Sequence, residues 1–297
     1  MNLSARQVVR LARFTRRFKS DTHPIQYKWC RRLLRYLYRR GDGKKPRYDF
    51  VVPYDRGLIN VDTGQLIDYC ILFHGHLEPT VVDIIKRVVR PGDTCIDVGA
   101  NVGVHTLVMA FQTGPSGRVI AVEPDPQNFR RLRMNVDLNG ARQVSLVEAA
   151  VSDRDGIATF FTCGPDAANR SLPSLKPVKE GLTPIQVRAI RGATLAAELD
   201  MKRCDFIKVD TEGHDLIVLR EFADLIQQHR PFLIFEHNKR LWDEFEASAE
   251  DALRLLARWH YDLYIVQDGT LSPATEGLPD KCNVFCVPQR EGEGARA

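Results

Sequence analysis

The sequence predicts an α/β fold: a doubly wound, mostly parallel sheet with helices on both faces and an N-terminal extension. Three observations carry that expectation. Short apolar runs alternate with helical patterns between residues 91 and 290, the first strand-to-helix turn of that stretch contains two glycines, and its second strand ends in a carboxylate. A chain of 297 residues, 44% hydrophobic and 27% charged, can bury a sizeable core and fits neither wholesale disorder nor a collagen-like chain. Arg, Lys, Asp or His interrupts every hydrophobic run before the roughly 18 residues that a spanning helix needs.

Residues 1–47 read as a basic amphipathic extension. They hold 15 Lys or Arg against two acids, Asp21 and Asp42, whereas the remainder holds 27 basic against 36 acidic residues. Trp29, Leu33 and Leu37 recur at helical spacing, and Arg31, Arg32, Arg35, Arg39 and Arg40 supply the charged remainder. Such a helix suits packing on the main domain, a subunit interface or an anionic membrane surface; nucleic acid is disfavoured. The start of the chain lacks the continuous apolar stretch of a secretory signal, and seven scattered cysteines without paired CxxC elements suit a reducing compartment. The expected location is the cytoplasm, with peripheral membrane attachment as the alternative.

Residues 48–90 read as an N-terminal cap region, with β-like runs at 48–53 and 58–60 and an amphipathic helix over 79–89 that stops before Pro91-Gly92. The main domain spans 91–290. Apolar β-branched runs give strands at 94–98, 119–122, 144–147, 157–162, 185–190, 206–209, 232–235, 263–266 and 284–287. Helical spacing places helices from the first turn to Phe111 and over 126–138, 214–228 and 242–259. Asp155-Gly156 reads as a hairpin turn. The segment 164–184, with Pro165, Pro173, Pro177 and Pro184, reads as a lid or substrate contact, and 291–297 as a flexible tail.

The first turn is the most informative place. It runs Asp97-Val98-Gly99-Ala100-Asn101-Val102-Gly103, directly after a strand and before a helix, where a doubly wound sheet binds nucleosides. Gly99 and Gly103 permit close backbone approach to a ligand, and Asn101 tolerates a left-handed turn. A dinucleotide fingerprint requires further glycines where Asn101 and Val104 stand. Asp97 repels a diphosphate but suits the amino group of a methionine moiety. Glu123, 20 residues after Gly103, ends the second strand, where a carboxylate accepts hydrogen bonds from ribose hydroxyls. Together these residues describe a site for S-adenosylmethionine (AdoMet) better than one for NAD. At the third strand end, backbone groups of Ala149 or Ala150 and a side chain such as Glu148 or Ser152 are expected near the adenine.

The segments IDVGANVG (96–103), AVEPDP (121–126), EAAVSDRDG (148–156) and DFIKVDTEGHD (205–215) resemble the successive motifs of FkbM-type class I AdoMet-dependent methyltransferases. HLEP (76–79) resembles the element that precedes the core in that family, with Leu77 where an aromatic is common. The resemblance covers roughly residues 50–290. It implies a Rossmann-like class I fold with a seven-stranded sheet, a Glu78 that closes over the cofactor, and methyl transfer, typically to an oxygen of a sugar, a glycan or glycolipid, or a glycosylated natural product.

A neutral hydroxyl needs a base or a metal to become a good nucleophile. Asp210, at the end of the 206–209 strand, is the first candidate for a substrate-facing carboxylate, with Glu212 the alternative; a helix N-cap and first-turn dipole complementarity are their structural roles. Lys208, inside an apolar strand, pairs with Asp210 or another acid. His237, past the next strand, titrates near neutrality and is a third catalytic candidate. Glu236 with Asp210 offers a site for a hard cation such as Mg2+, but carboxylates at strand ends occur without metals, so no metal ligand is assigned; His74 and His76 lack a third ligand. The alternatives are an NAD-dependent oxidoreductase and a non-catalytic AdoMet-fold module docked to a membrane or RNA.

Overall fold

The computed structural model describes residues 49–62, 65–75, 77–163, 173–178, 180–267 and 269–289. The basic extension, His76, most of the 164–184 segment's first half and the 291–297 tail lie outside the described residues. No described helix is long and apolar enough to cross a membrane.

The described residues fall into two compact units divided between Leu77 and Glu78. In the smaller, β1 (Asp49–Tyr54) and β2 (Gly57–Asp62) form an antiparallel hairpin in which Tyr54 pairs with Gly57. Alternation buries Val52, Tyr54, Ile59 and Val61 on one face. Helix α1 (Leu66–His74), which the apolar periodicity left unassigned, ends at Gly75 in the left-handed conformation that a helix C-terminus favours.

The larger unit begins with α2 (Pro79–Val88) and continues β3 (Thr94–Val98), α3 (Val104–Thr113), β4 (Arg118–Val122), α4 (Pro126–Leu138), β5 (Val144–Val147) and β6 (Ala150–Val151). Next come β7 (Gly156–Thr162), β8 (Thr183–Ile190), α5 (Gly192–Glu198), β9 (Phe206–Val209), α6 (Asp215–Glu221), α7 (Ala223–His229) and β10 (Phe232–Asn238). Helices α8 (Lys239–Glu244) and α9 (Ala249–Arg258) and strands β11 (Tyr261–Gln267), β12 (Thr270–Pro273) and β13 (Lys281–Pro288) complete it.

The main sheet has the order β12-β11-β13-β10-β9-β3-β4-β5. The run from β10 to β5 is parallel, and β13 enters antiparallel between β10 and β11. The sheet thus has eight strands rather than the expected seven. The extra one, β12, is exposed along its whole length, so no apolar run announced it. The chain leaves β3 first toward β4 and later toward β9, so the crevice for a ligand lies at the carboxyl ends of these strands. Cys95, Ile96, Ile120, Val122, Ile207 and Val209 are buried because helices cover both faces.

Three further expectations are corrected. Strands β6, β8 and β7 form a separate sheet in that order, so β6 and β7 flank β8 and Asp155-Gly156 is not a hairpin turn. The Asp155 carboxylate instead accepts from the Arg191 backbone N–H and the Thr194 hydroxyl, both at 2.8 Å, at the start of α5. The helix expected over 214–228 breaks at buried Phe222 into α6 and α7. The one expected over 242–259 breaks into α8 and α9, because Glu246 turns left-handed and Ser248 caps a new helix, its hydroxyl accepting from the Asp251 N–H at 3.1 Å.

Candidate active site

The turn after β3 is held by the neighbouring strand ends. The Gly99 and Ala100 N–H groups both donate to the Val122 carbonyl at 3.0 Å. Gly99 has φ +78°, and a Cβ there would lie 1.9 Å from the Asp210 carbonyl oxygen. Its close approach is to the backbone that follows β9. Asn101 is left-handed, as expected, with φ 51°. Its N–H donates to Glu123 Oε2 at 2.8 Å, and the Asp125 N–H donates to Glu123 Oε1 at 2.9 Å. Each Glu123 oxygen keeps a lone pair for a ribose hydroxyl. Burial pushes the Glu123 carboxyl up to about 8 against the pull of those two backbone donors. A Cβ at Gly103, φ +93°, would meet Leu132 at 2.8 Å, so this glycine serves the packing of α3 on α4.

Asp125 supports the site from behind. Its Oδ1 caps α4 by accepting from the N–H groups of Gln127 and Asn128, and Thr162 donates to Oδ2, tying the small sheet to this corner. In β6, just past the end of β5, Ala150 packs with Phe160 and Val187 in the small sheet's own core. Ser152 is buried and donates to Asp153, and Glu148 is exposed.

Across β3, β9, β10 and β13 the register assembles an acid-rich cluster. Asp97 pairs with Lys208, Lys208 with Ile234, and Ile234 with Phe285, so these side chains share one face of the sheet. Two residues on, Asp210, Glu236 and Asn283 stand on that face at the strand ends. Lys208 Nζ donates to Asp210 Oδ2 at 3.2 Å and lies 3.8 Å from Asp97 Oδ1. Thr106 donates to Asp97 Oδ2 at 2.6 Å. Asp97 is fully buried, so it sits beneath the site and acts on it through Lys208 rather than forming its wall. Asn283 donates to Glu78 Oε1 at 2.7 Å, while Glu78 Oε2 lies 3.6 Å from His105 Nε2. Lys281 Nζ is 2.8 Å from Glu236 Oε1. Glu212, left-handed at φ 53°, follows Asp210, and Ser174 of the proline-rich segment donates to its carbonyl at 3.1 Å.

The carboxyls of this cluster are driven apart in acidity. Burial disfavours charge on Asp210, but Lys208 beside it, helped by His105 and Lys281, holds the carboxyl below the usual range. Burial followed by the Asp210 charge pushes Glu236 up to about 7 and Glu212 up to about 10, with Lys281 opposing both. Burial and Asp210 also raise Glu78. Burial works against the Lys208 ammonium, yet Asp210, Asp97 and Glu78 together keep it firmly charged. Burial and Lys208 bring His105 down to about 4, so its ring is neutral.

His237 is not brought into the cluster. It alternates with Glu236 along β10 and so faces the other side of the sheet, where its Nδ1 is 2.8 Å from the Pro279 carbonyl and its ring packs edge-on against Trp242. Sequence reasoning missed Lys281, Asn283 and His105. The available signal was polarity out of place: Lys281 and Asn283 alternate at the start of an apolar strand, and His105 interrupts the apolar α3. Among the described residues no group of three or more His, Cys, Asp or Glu is arranged to hold a metal ion.

A family model for the methyltransferase FkbM domain matches residues 97–263, more than half of the chain. The hexuronic acid methyltransferase AglP of Haloferax volcanii is 29% identical over 150 residues, covering 50% of this chain and 58% of AglP. A protein-L-isoaspartate O-methyltransferase of Aeropyrum pernix is 35% identical over 112 residues, covering 36% of this chain and 40% of that enzyme. The match therefore spans well under two thirds of these relatives' lengths. The structure of a methyltransferase FkbM from Methylobacillus flagellatus KT superimposes with TM-score 0.42 at 17% identity, covering 73% of this chain and 53% of that one.

Proposed function

Because the chain belongs to the FkbM methyltransferase family, we propose that it transfers a methyl group from AdoMet to a hydroxyl oxygen of a sugar-bearing acceptor. One observation carries the reading: a glycine turn bounded by Glu123 opens beside the carboxyls of Glu78, Asp97 and Asp210, which surround a single ammonium group, Lys208. That donor set fits an adenosyl sulfonium bearing an amino group and opposes a pyrophosphate. The family match likewise displaces the NAD alternative. AglP, by its name a hexuronic acid methyltransferase, supports the sugar in the proposed acceptor.

Bound AdoMet supplies an electrophilic methyl group on a positively charged sulfur. Glu123 accepts from the ribose hydroxyls, and Glu78 and Asp210 face the cationic end. Lys208 keeps Asp210 ionised and oriented. Ser174 fixes the Glu212 backbone on the acceptor side. Ala150 lies at the adenine side through its backbone. Positioning the acceptor oxygen about 3 Å from the methyl carbon, in line with the sulfur, supplies several kcal/mol of the acceleration. His237 serves as a structural contact to β13's approach.

Calorimetric titration of AdoMet, S-adenosylhomocysteine and NADH tests the cofactor. Mass spectrometry of methyl glycosides incubated with isotopically labelled AdoMet tests the acceptor. Binding of NADH without AdoMet, or labelling confined to nitrogen, refutes the proposal.

A further inference from the structure

Glu236 has no part in the roles assigned above, yet it stands closest in register to Asp210. Phe235 pairs with Val209, so the next step along β10 sets Glu236 opposite Asp210, on the face that also carries Lys208. Its side chain is 12% exposed, open to the cleft while largely desolvated. From this arrangement we propose that Glu236 is the carboxylate that receives the acceptor's proton, and that Lys281 is the positioning residue that holds it. The proposal rests on the methyl-transfer reading of the same site.

The neighbours leave Glu236 as the one suited to the task. Asp210 is engaged by Lys208 at 3.2 Å and held ionised, which makes it a weak base. Glu212 is kept protonated at neutral pH, so it donates a hydrogen bond rather than taking a proton. The charged groups around Glu236 are Asp210 at the end of β9, Glu212 in the loop after it, Asp215 on α6 and Lys281 on β13, where Asn283 stands opposite it in register. Their balance sets its affinity for a proton near neutrality, where a general base works best.

The step balances without any further reactant. A lone pair of the acceptor oxygen forms the C–O bond as the C–S bond breaks, and that bond's electron pair stays on sulfur as a neutral thioether. The acceptor O–H proton passes to Glu236, which returns it to water. Loss of the positive charge at sulfur offsets the charge that Glu236 gains with the proton.

Infrared spectra of the full chain across neutral pH, in the absence of acceptor, read the protonated-carboxyl band directly. Glu236→Gln should remove a band that titrates near neutrality, and Lys281→Met should move that titration upward. Calorimetry should find AdoMet bound by E236Q within about threefold of the parent, while turnover on methyl glycosides falls at least about 100-fold. A band unchanged in E236Q, or more than a tenth of the turnover retained, overturns the proposal. A parent chain that binds AdoMet but methylates no hydroxyl acceptor strikes at the O-methylation reading instead, and the infrared titration still decides whether Glu236 is the group that takes up the proton.

Discussion

Replacing Gly99 with alanine separates two costs that coincide at the turn after β3. The first is conformational: φ +78° is a left-handed backbone, which costs an L-residue about 1 to 2 kcal/mol. The second is steric. The new Cβ would lie 1.9 Å from the Asp210 carbonyl oxygen, which belongs to the backbone and cannot rotate away, so β9 or the turn has to shift. Overpacking of that kind costs roughly 1 to 3 kcal/mol, for a total of about 2 to 5. Gly140 provides the control, since it has φ +58° with nothing within 4 Å of an added Cβ. Gly140→Ala therefore carries only the conformational cost. At about 2 to 4 °C per kcal/mol, G99A should lower the melting temperature by roughly 4 to 20 °C and G140A by roughly 2 to 8 °C. Thermal unfolding followed by circular dichroism measures both. Equal shifts in the two variants would show that β3 and β9 are not pressed together at Gly99.

The ligand-free chain should lose stability as pH rises from about 5 to 8, by urea denaturation. Glu123, up to about 8, and Glu236, up to about 7, have folded values above their unfolded ones, so their contribution is complete below the unfolded value and vanishes as pH rises through the folded value. Glu123→Gln should flatten that slope, and an unchanged slope would count against the burial of Glu123. Lys208→Met should destabilise by about 3 kcal/mol or more, because it leaves the fully buried Asp97 without its cation; adding Asp97→Asn should recover part of the loss in a double-mutant cycle. Ser248→Ala should cost about 1 kcal/mol by removing the cap of α9 while leaving AdoMet affinity unchanged.

Periodicity located the strands that are buried on both faces and lost the elements set by side-chain hydrogen bonds or by exposed edges. The β3, β4 and β9 runs are predominantly apolar because helices cover both faces, with Asp97 and Lys208 the buried exceptions, so they stand out in the sequence. The start of α9 depends on one hydroxyl at Ser248, and β12 on pairing with β11 through exposed residues, neither of which alters hydrophobic spacing. Glu123 and Asn101 were legible because a βα turn constrains each locally. Lys281 and Asn283 were not: they reach the cluster from a strand that enters antiparallel beside β10, a pairing that local spacing does not encode. His237 shows the converse error. Its chemistry suited a base, but strand alternation turns it away from Asp210, and only the register of β10 on β9 reveals which of two adjacent residues faces the site.

The same joint that makes Gly99 intolerant of a side chain connects the two halves of the site. The Asp210 N–H donates to the Val98 carbonyl at 3.0 Å, its own carbonyl abuts Gly99, and Lys208 spans Asp97 on β3 and Asp210 on β9. A displacement of the turn after β3 therefore moves the Asp210 backbone, and with it the charge that raises Glu212 and Glu236. A cation beside Asp210 acts on those carboxyls in the opposite sense, lowering them as it binds. In the proposed mechanism, a sulfonium beside Asp210 biases Glu236 toward the ionised form that accepts a proton, and loss of the positive charge at sulfur reverses the bias. Lys208 and the Asp210–Gly99 backbone contact are the physical link between β3 and β9 that such a coupling would use.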